Sequence, residues 1–597
     1  MKDNTVELVK LPDNIADPSQ QKQSPKKLWS RRLAIFNFAF SFLILLLWDG
    51  LTRRLGKNQQ LRAKILVEKL INMGPTFIKL GQLLSCRPDL IPPIYVDELA
   101  NLQDQLPPFA NEEAYNIIEE EFGIPYNQVY AELNPDPVAS ASLGQVYKGK
   151  LHTGEIVAVK VQRPGIIEIL VLDIYLLQQL ASWVQKNVPF IHTNIRALTD
   201  ELANSIFKEM DYVKEGANGK KFAEIYNNIP HIYIPYIYSK YTTSRVLTME
   251  WVNGVKITSI EELCNQGLNP ADLMSLEFKF FLQQLLEGRF FHADPHPGNV
   301  LVTADGKLAF LDFGMMSAVE PETSDLLIIF FLHFISGDFQ SMAEDLVALE
   351  FLPPETDLPP LIPRLSQLFG NNVRESTIVE FGFRQIFDKL LSLVYEYSWQ
   401  IPKFYVLVFR AFATIEGVAI KLNPDFQAYK VGFPYIVKWT LTKRSPVLWD
   451  ALKNLCVKNE TIQWELVSDL LTTFSQIEDF NLYIASERMI EFLYSDQGNS
   501  FRYVLVKEMV TKLEGMFDNM MSLTMAMITP FEPYKILSRN WDNIQPFIRQ
   551  FLASNLVNFS SAHELSEMFL RKTEAMRLEQ EILTELGKRI LMRFISV

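Results

Sequence analysis

Four short stretches, taken in order, limit the folds open to this chain more than its length does. They are Val157-Ala-Val-Lys160, Glu209-Met-Asp-Tyr-Val-Lys-Glu215, His292-Ala-Asp-Pro-His-Pro-Gly-Asn299 and Asp312-Phe-Gly314. Lys160 closes an alternating Val-Ala-Val run, which predicts a strand that presents the lysine on one defined face. With the turn at Thr153-Gly154, residues Gly144–Leu151 and Ile156–Val161 read as two strands of a hairpin. Two prolines and a glycine make His292–Asn299 a rigid loop. Asn299 and Asp312 stand 13 positions apart, room for a tight hairpin around Ala304-Asp-Gly306 and too little for a helix. The turn therefore returns both groups to one place.

Elsewhere the texture is mostly helical. Leu66, Leu70, Phe77, Leu80 and Leu84 recur at three- and four-residue steps, and helices are predicted over 167–186 and, as one element, over 195–226. Strand-like material falls at Ile232–Tyr238 and Ser244–Trp251. The fold class is α+β and bilobal: a small strand-containing lobe (135–252) precedes a helical lobe (253–434). A helical extension (61–134) leads into it and a helical region (435–597) follows. At 597 residues, two to four domains are expected.

Residues 1–25 are polar and read as a flexible leader. An apolar run from Leu33 to Trp48 follows within a basic segment, 26–60, flanked by Lys26, Lys27, Arg31 and Arg32 before and Arg53, Arg54 and Lys57 after. Its 16 residues would reach about 24 Å, short of the ~30 Å hydrocarbon core. Three placements stay open: a helix on a membrane surface, a helix packed on the protein's own body, and a single span. No other run is long enough to cross, Leu326–Ile335 included. The formal charge of −13 argues against nucleic acid as a partner. Cys86, Cys264 and Cys456 lie far apart, which fits neither a metal site nor a disulfide framework.

The chemistry of the four stretches is that of an ATP site. Lys160 on its strand suits the α- and β-phosphates, with Glu215 as its partner carboxylate. Asp211 and Glu215, one turn apart on the 195–226 helix, repel unless a cation lies between them, and Glu209 is nearby. Asp294 is placed to accept a hydroxyl proton or orient water, while Asn299 and Asp312 supply oxygen ligands to Mg²⁺. His292 and His296 do not make this a transition-metal site, because hard Mg²⁺ prefers oxygen. Where a phosphate loop is expected the chain has Pro137-Val-Ala-Ser-Ala-Ser-Leu-Gly144. Its alanines and serines keep the backbone donors but lose the positive-φ freedom of glycine, so the loop should be stiff.

These residues resemble the AarF/UbiB family of atypical kinases, in its cyanobacterial and plastid branch, over roughly Arg62 to Phe426. The marks are Lys79-Leu-Gly-Gln82, the loop Ala139-Ser-Ala-Ser-Leu-Gly144, Glu209-Met-Asp211, and the two metal-loop segments. The resemblance implies a protein-kinase-like fold binding ATP or ADP with Mg²⁺. Ala139, Ser140, Ala141, Ser142, Leu143 and Gly144 would then cover the phosphates, and Glu250 would mark the hinge that meets adenine. It implies that Lys79 and Gln82 lie over the cleft where a peptide would dock, and that Glu209 and Asp211 bind that extension or metal. It further implies quinone or prenyl-lipid partners, enzymes of quinone biosynthesis among them, and a peripheral place on the cytoplasmic side of a thylakoid or plasma membrane. No Ala-Pro-Glu motif follows Asp312, so the usual activation segment is missing.

ATP hydrolysis is favoured over peptide phosphorylation, because the extension obstructs the cleft. The alternatives are a nucleotide-gated lipid-binding or scaffold protein with little turnover, and a kinase acting on proteins.

Overall fold

The computed structural model describes residues 25–85, 91–100, 102, 107–141, 143–187, 195–373 and 402–424, with isolated positions and short pieces between 386 and 589. Residues 1–24 of the leader, Cys86, Ser142, Cys456 and most of 435–597 lie outside the described residues. The chain divides into two compact units. One comprises Met1–Val319 with Phe383–Phe426, the other Glu320–Gly382 with Gln427–Val597. This division falls elsewhere than the 252/253 and 434/435 boundaries read from sequence. All candidate site residues belong to the first unit.

That unit begins with the extension, α1 (Pro25–Leu51), α2 (Leu55–Met73), α3 (Pro75–Ser85) and α4 (Pro93–Ala100). Gly74, at φ 96°, ends α2, and Pro75 starts α3, since proline needs no amide donor there. A Cβ at Gly81 would strike Leu102 and Leu70, so glycine lets α3 settle against its neighbours. Ile35, Leu70, Phe77 and Leu99 bury together with Leu170, Ile174 and Ile206, which fixes the extension to α7 (Ile166–Asn187) and α8 (Ile195–Glu209).

The first sheet runs β1 (Glu132–Leu133), β3 (Gly144–Lys150), β4 (Ile156–Gln162), β6 (Val246–Glu250), with β2 (Ala139–Ser140) also on β3. Alternation along β4 sorts its two faces. Val157, Val159 and Val161 bury against Ile117 and Ile118 of α5 (Asn111–Phe122), whereas Ala158 packs against the Tyr212, Ile237 and Leu247 cluster. Lys160 shares that second face, opposite Val146 and Leu247. The short helix α6 (Tyr126–Val129) links α5 to β1.

The helix read as continuous over 195–226 is two helices, a correction with a clear cause. Asp211 leaves helical geometry, and its side chain accepts from the Lys214 amide at 3.1 Å, capping α9 (Tyr212–Tyr226). Asp211 and Glu215 therefore do not share the face of one long helix.

A second sheet follows in the order β5 (Ile232–Tyr233), β10 (Leu308–Phe310), β9 (Val300–Thr303), β7 (Gly254–Lys256). The sequence reading found the β9–β10 hairpin but not β7, β8 (Phe290–His292) or β11 (Met316–Ala318), which are only three residues each. Helices α10 (Ile260–Asn265) and α11 (Pro270–Gln283) complete this part. The helix Lys403–Leu422 packs on α11 through Phe412, edge-on to Phe281 at 4.8 Å.

The helix that carries the apolar run is longer than the run itself. It lies in the 27-residue α1, and α1 and α7 are both long and apolar enough to cross a membrane. That corrects the reading that no other run could span, although half of the α7 window is buried inside the protein.

The second unit carries α12 (Pro321–Ser336) and α13 (Phe339–Ala348), joined by the buried His333–Asp345 contact at 2.7 Å, and then α14 (Leu361–Val373). Its later part is not wholly helical: Val457–Lys458 pairs with Thr461–Ile462.

Candidate active site

β4 and α9 meet at a buried ion pair. The Lys160 Nζ lies 2.7 and 2.9 Å from the two Glu215 carboxylate oxygens, and 3.4 Å from Asp312 Oδ2. Glu215 is 2% exposed and Lys160 19%, so this charge cluster is largely shielded from water. Burial pushes the Glu215 carboxyl up to about 7, against the pull of Lys160 and with the push of Asp312. Asp312 goes the other way. Burial would raise it, but Lys160 and a hydrogen bond from the Gly314 amide at 2.8 Å hold it down at about 2. The Lys160 ammonium is held well above its ordinary value, since Asp312 and Glu215 outweigh the cost of burial.

The Asp-Phe-Gly turn is anchored on three sides. Phe313 is fully buried among Phe222 and its neighbours, and its carbonyl accepts from Asn218 of α9 at 2.9 Å. One step past the last rung of the β9–β10 hairpin, the Leu311 amide donates to the Asn299 carbonyl at 2.9 Å. Asn299 and Asp312 are thus returned to neighbouring positions.

Asp294 follows β8, which pairs with β11 so that His292 faces Met316. The His292 Nδ1 accepts from the Asp294 amide at 3.1 Å, and burial lowers the ring's pKa, so the neutral imidazole carries its proton on Nε2. His296 likewise uses Nδ1 to accept from the Gly298 amide. Both histidines brace the loop. The sequence reading missed Arg410, whose guanidinium donates to Asp294 Oδ1 at 3.0 Å from the helix Lys403–Leu422. It lies 116 positions from Asp294, and no local pattern marked it.

The candidate phosphate loop is the turn between β2 and β3, closed by the Ala141 amide donating to the Gly144 carbonyl at 2.8 Å. A second missed residue, Arg163, clamps it. Its guanidinium donates to the Ala141 carbonyl at 3.2 Å, the Ser140 hydroxyl at 3.0 Å and the Pro107 carbonyl at 2.7 Å. Gly144 is required by crowding: a Cβ there would fall 2.6 Å from both the Tyr212 hydroxyl and the Val161 carbonyl.

The extension reaches the same place. Lys79 of α3 pairs with Glu209 at 2.5 Å, and Gln82 donates to the Leu102 carbonyl at 3.2 Å. A Cβ built on Gly314 would lie 3.1 Å from Asp312 Oδ1, 3.7 Å from Glu209 Cγ and 3.9 Å from Glu215 Oε2. The Lys79–Glu209 pair therefore abuts the Asp-Phe-Gly turn, and the Lys79 charge helps to lower Asp312. Asp211 stands apart as an exposed cap. Glu250 ends β6 just before the chain passes to β7 in the second sheet. Its carboxylate accepts from the Tyr233 hydroxyl at 2.5 Å and the Tyr236 amide at 3.1 Å.

The donor set fits Mg²⁺ with a nucleotide. Asn299 and Asp312 offer one amide and one carboxylate oxygen, and Mg²⁺ completes such a shell with phosphates and water. Among the described residues there is no group of three or more His, Cys, Asp or Glu side chains able to hold a metal alone. A largely shielded ammonium, Lys160, and an unpartnered buried hydroxyl, Tyr212, stand beside the loop.

A family model described as ABC1 atypical kinase-like domain matches residues 101–346. An uncharacterized protein of Synechocystis is 45% identical over 493 residues, 83% of this chain and 72% of its own. A second from the same organism is 37% identical, over 87% of this chain and 92% of its own. Protein ACTIVITY OF BC1 COMPLEX KINASE 3, chloroplastic, of Arabidopsis thaliana is 40% identical over 81% of this chain and 68% of its own. Among solved structures, a complex of Rv3197 with erythromycin from Mycobacterium tuberculosis covers 57% of this chain and 87% of its own, at 23% identity and a TM-score of 0.43. That last likeness is too loose to bear on the argument.

Proposed function

The chain belongs to the ABC1 atypical kinase-like family, and from that premise we propose that it is a Mg²⁺-dependent ATP-binding enzyme, transferring or hydrolysing the terminal phosphoryl group in support of quinone or prenyl-lipid metabolism at a membrane. One observation carries the enzyme reading: a strand lysine held between Glu215 and Asp312 in a shielded cluster. Lys160, already oriented by Glu215, takes up phosphate oxygens. Asp294 orients the attacking hydroxyl or water, and Arg410 holds its carboxylate in place. Asn299 and Asp312 would hold Mg²⁺, which would supply charge neutralisation at the phosphates. The Lys79–Glu209 pair puts α3 beside the Asp-Phe-Gly turn, and on that ground water is favoured over a peptide as acceptor.

The test is Mg²⁺-nucleotide binding and turnover of the full chain with Asp312→Asn beside wild type. Loss of both is expected. Wild-type behaviour from the variant would remove the metal assignment.

The membrane reading rests on α1. Its outer face exposes Trp29, Leu33, Phe36, Phe40, Leu47 and Trp48, and exposed Lys26, Lys27, Arg53 and Arg54 stand at its ends. That pattern suits an anionic bilayer surface. The inner face is bound to the protein: Arg31 pairs with fully buried Asp173 at 2.6 Å, and Asp49 with Arg62 at 2.6 Å. Both pairs hold α1 against the body of the protein, which favours a helix lying in the membrane plane over a lone span. Chloroplastic relatives make a thylakoid a fitting surface. Liposome flotation of Leu33→Glu with Phe40→Glu checks this, and unchanged flotation would exclude α1 as the anchor.

A further inference from the structure

We propose that the Tyr212 hydroxyl is a phosphate ligand of this site, donating to the nucleotide from beneath the Ala139–Gly144 turn. The inference rests on the nucleotide reading above and adds a binding residue to it. Tyr212 opens α9 directly after its cap. Its ring, 1% exposed, packs with Ile237, Leu247 and Met249, and the Lys160 ammonium lies 5.0 Å from the ring centre. The hydroxyl is out of contact with solvent and has no hydrogen-bond partner among the described residues.

Its position makes this informative. The oxygen lies against Gly144, at the end of the loop, where a Cβ would come within 2.6 Å of it. Any phosphate gripped by Lys160 under that turn enters the neighbourhood of this unused donor. Burying a hydroxyl without a partner is unfavourable, and phenylalanine would give the same packing without that cost. The partner is thus expected to arrive with the ligand. Burial also raises the phenol's pKa, which keeps the proton on oxygen and the group a donor. The turn lacks the freedom of a glycine-rich loop to fold its own amides over phosphate. A donor from the α9 side, next to an ammonium, offsets that.

The experiment compares the full chain with Tyr212→Phe by calorimetric titration against Mg²⁺-ATP, Mg²⁺-ADP and adenosine, with a ligand-free thermal melt of each. The variant should bind both phosphorylated ligands roughly tenfold or more weakly, the worth of one hydrogen bond to a charged acceptor. Its adenosine affinity should be unchanged and its ligand-free midpoint equal or higher. Equal Mg²⁺-ATP affinity overturns the inference, as does a parallel loss for adenosine. A lowered ligand-free midpoint also overturns it, because the hydroxyl then has a structural partner such as bound water. If wild type binds none of the three ligands, the nucleotide reading itself fails and this inference falls with it.

Discussion

Removing the Lys160 ammonium should change how stability depends on pH, and the structure sets both direction and size. Glu215 is 2% exposed, and its carboxyl sits at about 7 with Lys160 2.7 Å away. A carboxyl raised from its usual 4.5 binds its proton more tightly in the folded chain than in the unfolded one. Stability therefore falls as pH rises from 4.5 to about 7, by roughly 3 kcal/mol, and is level above that. In Lys160→Met the balancing cation is gone. At 2.7 Å and an effective dielectric of about 20, that attraction is of order 6 kcal/mol, or about four pH units. Glu215 then stays protonated through neutral pH, and the decline continues past pH 7 instead of levelling. Thermal melts of both full chains between pH 5 and about 9 read this: in wild type Asp312, held at about 2, does not titrate there, and in the variant the lost cation releases Asp312 upward as well, which deepens the same decline. A break near pH 7 in both chains would mean that Lys160 does not govern Glu215, and the ion pair would be a poor guide to the site.

Glu277 gives a simpler case: it is 3% exposed on α11, and burial alone raises its carboxyl to about 8. Glu277→Gln should remove a stability loss of roughly 5 kcal/mol that builds between pH 4.5 and 8, seen as a flatter melt-versus-pH curve. Arg31→Met leaves the fully buried Asp173 with Thr76 at 2.8 Å but no cation, and should lower stability by about 3–5 kcal/mol in denaturation. Lys79→Ala should alter nucleotide turnover or acceptor choice while the fold persists by circular dichroism; unchanged kinetics across water, lipid and protein acceptors would remove the role given to α3.

The hairpins of this chain were legible because their signals are local. The Val-Ala-Val alternation marks β4 and the Asn299-to-Asp312 spacing marks β9–β10, and each depends on a few adjacent residues. The break between α8 and α9 was hidden because apolar periodicity runs straight through it. Only the competing pull of the Asp211 side chain on the Lys214 amide ends one helix and starts the next. Three-residue strands such as β8 leave no period to detect. Arg410 and Arg163 were out of reach for a different reason. Each acts on a group far away in sequence, and a lone arginine in a helix or before a proline has no pattern that says what it will touch.

What tertiary structure adds is a chain of contacts from α1 to the reacting end. The inner face of α1 is tied to α7 through Arg31 and Asp173, and that aspartate also takes the Thr76 hydroxyl from the first turn of α3. One helical turn further, α3 carries Lys79 to Glu209, and Glu209 stands against Gly314, whose amide positions Asp312. Apart from the packing of Glu209 against Gly314, each link is a charged or hydrogen-bonded contact, most of them shielded, so a displacement at one end is costly to absorb locally. An α1 docked on a membrane would therefore bear on the placement of the Asp312 carboxylate without touching it. The prediction is reciprocal: if anionic vesicles tighten Mg²⁺-nucleotide binding by some factor, Mg²⁺-nucleotide must tighten vesicle binding by the same factor. Flotation with and without nucleotide, set beside titration with and without vesicles, measures both sides. Independence of the two equilibria would show that the contacts hold the site together without transmitting anything through it.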